Sequence, residues 1–249
     1  MGRLTIDDLA LIQSYSEDVR GRAGAFGATI TLSSDPESFA EFLSAQTNTH
    51  GVSSLHDPRK CHITPDNFAW LRIDVEGQGI CCHAIRCVET DDLIEDIRTH
   101  RLFFNVEVPW DYENVGLYDG AYHLQLSGRV AIGGGLWVHP GWRGKNFSLH
   151  FSKLLRVIGI RRFRWDHYVA FVLNTKNRQE WSLQSTGQMQ LHPLLKGYYP
   201  PYGRPVDIMM AYSTRDALLR HIRGEMEQSA RRWSDMHKPA DFRPKAAVA

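Results

Sequence analysis

Long hydrophobic runs are missing from this chain: none approaches the roughly 20 residues that a membrane-spanning helix needs. The first twenty residues hold Asp7, Asp8, Glu17 and Asp18 and no apolar leader segment, which excludes a secretory signal and makes a cytoplasmic protein the expectation. An excess of one charge is missing too. With 29 Lys and Arg against 28 Asp and Glu, the net charge is +1, which argues against bulk attraction to nucleic acid or a membrane surface. Cysteine is scarce, at Cys61, Cys81, Cys82 and Cys87, with no Cys-x-x-Cys pair. Three of the four crowd into one expected strand, poorly placed to bridge one another. Reduced, buried thiols and no metal are therefore expected.

Acidic residues are absent from two further stretches, Arg129 to Val138 and Arg143 to Arg164. The second stretch carries Arg143, Lys145, Lys153, Arg156, Arg161, Arg162 and Arg164. Leu149, Leu154, Leu155 and Ile158 are spaced to form one apolar helical face, which places Lys153 and Arg156 largely on the solvent side. A solvated basic face is the plain reading of such a run; an anionic ligand is the sharper one.

The residues preceding this run give the sharper reading its weight. Leu136-Trp137-Val138 ends an apolar strand, His139-Pro140-Gly141-Trp142 turns a corner, and Arg143-Gly144-Lys145-Asn146-Phe147-Ser148 opens the helix. A helix start beside a strand end aims unpaired N–H groups and the positive end of the helix dipole at one place, where a phosphate is favoured. The spacing fits neither a P-loop nor the three-glycine dinucleotide fingerprint. A strand-proline-loop-helix connection with no ligand is the competing reading.

The stretch resembles motif A of the GNAT superfamily, the acyl-CoA-dependent N-acyltransferases. Val138-His139-Pro140 matches the corner, and Arg143 to Ser148 matches the Arg/Gln-x-x-Gly-x-Gly/Ala loop, with Asn146 and Ser148 where the family has small loop residues. Asn tolerates positive φ, and Ser148 is expected to cap the helix. The resemblance implies a mixed, mostly antiparallel α/β sheet with splayed central strands and flanking helices. It also implies acetyl-CoA or another acyl-CoA as co-substrate, held by Leu136, Trp137, Val138, Arg143, Gly144, Lys145, Asn146, Phe147 and Ser148, with Asn174 and Asn177 at the next helix. The family's tyrosine acid, four residues before the closing glycine of that helix, has no match. Counting back from Gly187 gives Leu183, and a shift of one gives Gln184. A strand carboxylate to act as base is missing as well, so the catalytic residues stay unassigned. Substrate-side candidates are Glu107, His123 and Tyr198, and His139 is left unassigned as a corner residue facing solvent.

Local pattern supplies the surrounding elements. A helical patch over Ile6 to Tyr15, a Gly/Ala-rich segment to Ala28 and a strand over Ala28 to Leu32 are expected, then a helix started by Ser34 or Asp35 and Pro36. Phe68–Val75 and Ile80 to Val88 flank Glu76-Gly77-Gln78-Gly79 as a hairpin. Thr90 is read as the cap of a helix over Asp91 to His100, and residues 122–138 as one strand in which Gly133, Gly134 and Gly135 mark a bulge or close approach of a ligand to the backbone, or else a flexible strand start. His167–Leu173 reads as a central strand and Arg178 to Ser185 as a helix. Gln190 to Leu195 and Val206 to Tyr212 read as closing strands around an aromatic loop, and 214–233 as a terminal helix. The domain expectation is an N-terminal helical extension over 1–25, a GNAT-like domain over 26–212 with an insertion at about 90–120, and a helix with a flexible tail over 213–249.

The function expected is direct acyl transfer in a ternary complex, acetyl first, to an amine of a small molecule or protein. A catalytically silent acyl-CoA-binding protein is the alternative. A nucleic-acid-binding protein using Arg143 to Arg164 is the third reading, disfavoured by the net charge. No membrane partner is expected, and a homodimer is left open.

Overall fold

A computed structural model of the chain describes residues 3–104, 115–144, 147–186 and 190–236. The elements in chain order are α1 (Ile6–Ala25), β1 (Ala28–Ser33), α2 (Pro36–Ser44), β2 (Phe68–Val75), β3 (Gln78–Thr90), α3 (Leu93–Arg98), β4 (Gly128–Val138), α4 (Phe147–Phe163), β5 (His167–Leu173), α5 (Lys176–Thr186), β6 (Gln190–Tyr199), β7 (Arg204–Thr214) and α6 (Arg215–Met236). The strands form one seven-stranded sheet in the order β1-β2-β3-β4-β5-β7-β6. Every neighbouring pair is antiparallel except β4 with β5.

The sheet is covered on both faces. On one, α1, α4 and α6 bury Val19, Leu154, Leu155 and Leu218 against Leu71, Ile85 and Ala131. On the other, α2 packs Phe39 and Leu43 on Phe68 and Trp70, while α3 and the segment after it pack Ile97 and Phe103 on Val130 and Ile208. β2 and β3 meet at Glu76-Gly77, both at positive φ, as the hairpin signal requires.

Several elements differ from their sequence reading, each for a local reason. α1 continues through Gly21 and Gly24 to Ala25, because Ile12, Tyr15, Val19 and Ala23 fall on one buried stripe. Tertiary burial outweighs the cost of the two glycines. α3 is shorter than expected and is capped by Asp92, which accepts from the amides of Ile94 and Glu95; Thr90 instead accepts from Asp92 N–H and donates to Asp96. β4 begins only at Gly128, since 119–123 forms a 3-10 turn. The aromatic segment 196–205 is mostly strand: β6 and β7 pair out to Tyr199 and Arg204, joined by a turn at Pro200–Tyr202 that Gly203 closes at φ 61°. Pro193 sits at a register shift of the edge strand β6, where its missing N–H does least harm.

Two features of β4 shape the centre of the sheet. Between Cys82↔Trp137 and Ala84↔Gly134 the β3–β4 register shifts, and Gly135 stands at φ 60°, so the glycine run does contain a bulge. Pairing of β4 with β5 covers only Val130↔His167 to Gly133↔Ala170. Beyond that point β4 follows β3 to Val138 while β5 follows β7 to Leu173, and the sheet opens into a fork.

Candidate functional site

The fork holds a cavity of about 640 Å³. Gly133 to Val138 of β4 line one arm and Ala170 to Leu173 of β5 the other. At one end of the cavity stand Trp142, Arg143, Gly144 and Ser148, where β4 turns into α4. Asn48 to Gly51, Pro201 and Tyr202 also border it, with the His50 and Tyr202 rings 5.3 Å apart.

The three glycines let other groups approach the strand. A Cβ at Gly133 would overlap the Tyr168 hydroxyl, one at Gly134 the His56 ring, and one at Gly135 the Phe39 ring. The bulge is present, and the groups that approach the backbone at the three glycines are the protein's own side chains.

The corner itself is tighter than the sequence implies. His139 is half-buried and tied down: its Nδ1 accepts from Gly141 N–H at 3.2 Å, and its carbonyl accepts from Trp142 N–H at 2.9 Å. Arg143 N–H is also used, donating to Pro140 O. Any anion at this corner is therefore left to Gly144 onward and to the first turn of α4, whose amides lack intrahelical acceptors. Gly144 stands at φ 79°, which suits glycine. Ser148 lies inside the first turn of α4 rather than at its cap, and borders the cavity.

The remaining expected residues scatter. Leu136 and Val138 are half-buried in the cavity wall. Trp137 turns its indole into the α2 cluster, donating to Thr47 O at 3.1 Å. Arg143 is exposed and donates from Nε to Val138 O at 3.2 Å. Phe147 opens α4, while Lys145 and Asn146 lie outside the described residues. Asn174 and Asn177 are exposed and do not border the cavity; Arg178 and Ser182 of α5 do. Glu107 lies outside the described residues, His123 is exposed away from the cavity, and Tyr198 is passed over in favour of its neighbour Tyr199.

The basic face of α4 needs correction. Lys153 and Arg156 are buried, because α1 and α6 cover the side that the apolar stripe leaves open. Lys153 pairs with Glu225 of α6. Burial works against the Glu225 carboxylate, yet hydrogen bonds from His221 and Lys153 hold its pKa at about 2. The Arg156 guanidinium sits 5.1 Å over the Tyr168 ring and donates from Nε to Ser152 O. Arg161, Arg162 and Arg164 are exposed at the other end of the helix. Among the described residues, the run is thus not one surface patch.

Sequence reasoning missed four polar side chains that the fold brings to the cavity: His56, His83, Ser152 and Tyr168. His56 stands on a 3-10 turn (Ser54–His56) whose Leu55 carbonyl is held by Arg86, itself buried and also bonded to Leu102 O. His56 Nε2 lies 3.2 Å from Ile132 O, so Nε2 carries the proton, and Nδ1 is buried with no partner among the described residues. His83, from the β3 side of the bulge, places Nδ1 3.2 Å from Ser152 Oγ. Burial pushes both imidazoles down, His56 to about 4 and His83 to about 3, and neighbouring Arg86 and Arg156 add to it. Both are neutral at physiological pH. No spacing rule marks these residues.

Among the described residues no cluster of His, Cys, Asp or Glu is arranged to hold a metal ion, and no helix is long and apolar enough to cross a membrane. No protein-family model and no curated protein sequence matches the chain. Solved structures do resemble it. A mutant form of the spermidine N-acetyltransferase of Vibrio cholerae is 12% identical, with 78% of this chain and 96% of that one covered and a TM-score of 0.47. NAA60 of Arabidopsis thaliana, bound to a bisubstrate analogue, is 13% identical, with coverages of 75% and 98% and a TM-score of 0.46. Protein yncA of Salmonella typhimurium, solved with its cofactor acetyl-CoA, is 12% identical, with coverages of 76% and 94% and a TM-score of 0.41.

The fold is a mixed, mostly antiparallel α/β sheet with flanking helices. Its strand order, single parallel pair and forked centre are the mixed, mostly antiparallel architecture that the motif implies.

Proposed function

We propose that the protein is an acyl-CoA-dependent N-acyltransferase that transfers an acyl group, acetyl in the first instance, directly to an amine in a ternary complex. The observation that carries this reading is the fork: β4 and β5 part after Gly133↔Ala170, and the cavity between them ends at the N-terminus of α4. Its volume of about 640 Å³ is that of a pocket for a large small molecule. Past the fork β4 has no strand partner on its β5 side among the described residues, so its backbone there can pair with an amide-bearing arm. Arg143, Arg178 and the first turn of α4 suit a diphosphate. When bound, the acyl-CoA supplies a thioester that an amine can attack. The chain's part is to orient that thioester in the fork and to manage protons there.

A thermal-shift series tests the reading. Acetyl-CoA and free coenzyme A are expected to raise the melting temperature, as any ligand selective for the folded state must. No shift at millimolar ligand refutes it. Replacing Arg143 and Arg178 together by Ala is expected to weaken coenzyme A binding by about 1–3 kcal/mol through lost charge-assisted contacts. Calorimetry giving an unchanged affinity would remove both residues from the site. Acceptors are then sought by thiol release from acetyl-CoA with arylalkylamines, polyamines and peptide N-termini.

A silent acyl-CoA-binding protein is the second reading. It is favoured by the cavity lining, which holds no Asp or Glu among the described residues. Coenzyme A binding without thiol release from any amine supports it over the enzyme.

A further inference from the structure

We propose that the hydroxyl of Tyr168, standing at the closed end of the β4–β5 fork, is the proton donor to the sulfur that departs when the thioester is cleaved; this rests on the acyltransferase reading above. Gly133 is the last residue of β4 paired with β5, and a Cβ there would overlap the Tyr168 hydroxyl. The hydroxyl therefore lies against the strand where the two arms part, and Tyr168 borders the cavity at that point. Only glycine at 133 leaves room for it.

The phenol is held on both sides. Its ring is buried, lies 6.1 Å from the Trp165 ring and has the Arg156 guanidinium 5.1 Å above it. Its hydroxyl stands against Gly133 at the cavity wall. Burial raises the phenol pKa, so the group carries its proton at neutral pH, while the charge of Arg156 acts in the opposite sense and eases transient ionisation. That combination suits a donor that must give up a proton briefly and recover it.

Other groups are less suited. Ser152 Oγ is engaged with His83 Nδ1, and an aliphatic hydroxyl is a far weaker acid than a phenol. Leu183 on α5 has no proton to give and is 44% exposed. Tyr199 is packed on the opposite face of the sheet, among Phe103 and Phe171.

The step balances. As the amine nitrogen bonds to the acyl carbon, the carbon–sulfur bond breaks and its electron pair goes to sulfur. The Tyr168 proton joins that sulfur to give the free thiol. The proton shed by the amine nitrogen, carried by solvent in the cavity, restores the phenol.

Tyr168→Phe tests the assignment, because it keeps the ring packing and removes only the hydroxyl. Calorimetry is expected to give an unchanged affinity for acetyl-CoA. With the best amine of the acceptor series, kcat should fall about 100-fold or more with little change in KM. A second measurement needs no acceptor: the ultraviolet absorbance of the thiolate of bound coenzyme A, titrated with pH. A hydroxyl that donates to sulfur stabilises the thiolate, so the bound thiol should ionise at lower pH in the wild type than in Tyr168→Phe. Identical thiol titrations and an unchanged kcat overturn the proposal while leaving the acyltransferase reading intact. Failure of the wild type to bind coenzyme A at all removes both.

Discussion

Trp165→Ala is expected to destabilise the protein by about 3–5 kcal/mol, the range for deleting a fully buried large aromatic side chain. At about 2–4 °C per kcal/mol for a chain of this size, the melting temperature should drop by at least several degrees. Trp165 is completely buried just beyond the C-terminus of α4. Its Nε1 donates to Arg156 O at 3.3 Å, and its ring fills the space beside Gly159, where a Cβ would stand 3.2 Å from that nitrogen. Truncation leaves a cavity and removes one hydrogen bond to the Arg156 carbonyl, so transfer and hydrogen-bond losses add. It also removes one wall from Tyr168, which couples the loss of stability to the fork. Leu183→Ala, on the exposed side of α5, should change stability by no more than about 0.5 kcal/mol. Equal melting temperatures for wild type and Trp165→Ala would mean that this packing does not hold α4 on the sheet.

That α4 depends on a residue outside its own apolar stripe shows where the sequence stops being informative. Local signals are strong where structure is local. Glu76-Gly77 sets its hairpin, Asp35 and Pro36 start α2, and the near-continuous apolar run His167–Leu173 is the central strand. The corner at Val138 to Gly144 and the glycine run of β4 are legible for the same reason, since both are single-residue backbone requirements.

The reading of α4 as amphipathic fails because its partners are distant in sequence. Of the four leucine and isoleucine positions read as the apolar face, Leu154, Leu155 and Ile158 pack in the core, but α1 and α6 then cover the rest of the helix. Lys153 is buried because Glu225, 72 residues away, supplies its counter-charge. No periodicity within α4 carries that information. The polar lining of the fork is hidden likewise. His56, His83, Ser152 and Tyr168 come from a 3-10 turn, a bulged strand, a helix and the central strand. Only the sheet order places them together.

Those two buried histidines should also give the protein a steep acid limb. His56 and His83 titrate at about 4 and about 3 in the folded protein, against 6.5 for an unperturbed imidazole, because burial penalises the charged form. Above pH 6.5 neither state binds the proton and stability is unaffected. Below it the unfolded chain takes up protons that the folded chain refuses, so stability falls as pH drops. The loss continues until the folded values are reached. Within that window each imidazole removes about 1.4 kcal/mol per pH unit, and the pair about 3 kcal/mol. Glu225 adds to the loss at lower pH: its value of about 2, against 4.5, means that the stabilisation from its pairing with Lys153 disappears progressively below pH 4.5. Denaturant unfolding above pH 6.5 and at about pH 5 measures the upper limb, to which His150 and His167, also pushed down by burial, add in the same direction. Replacing His83 by Gln, which is neutral throughout, should lower the slope there by about 1.4 kcal/mol per pH unit. A folding free energy that stays constant between those two conditions would show that neither ring is held uncharged, and hence that the turn carrying His56 does not press it against Gly134 at the mouth of the fork.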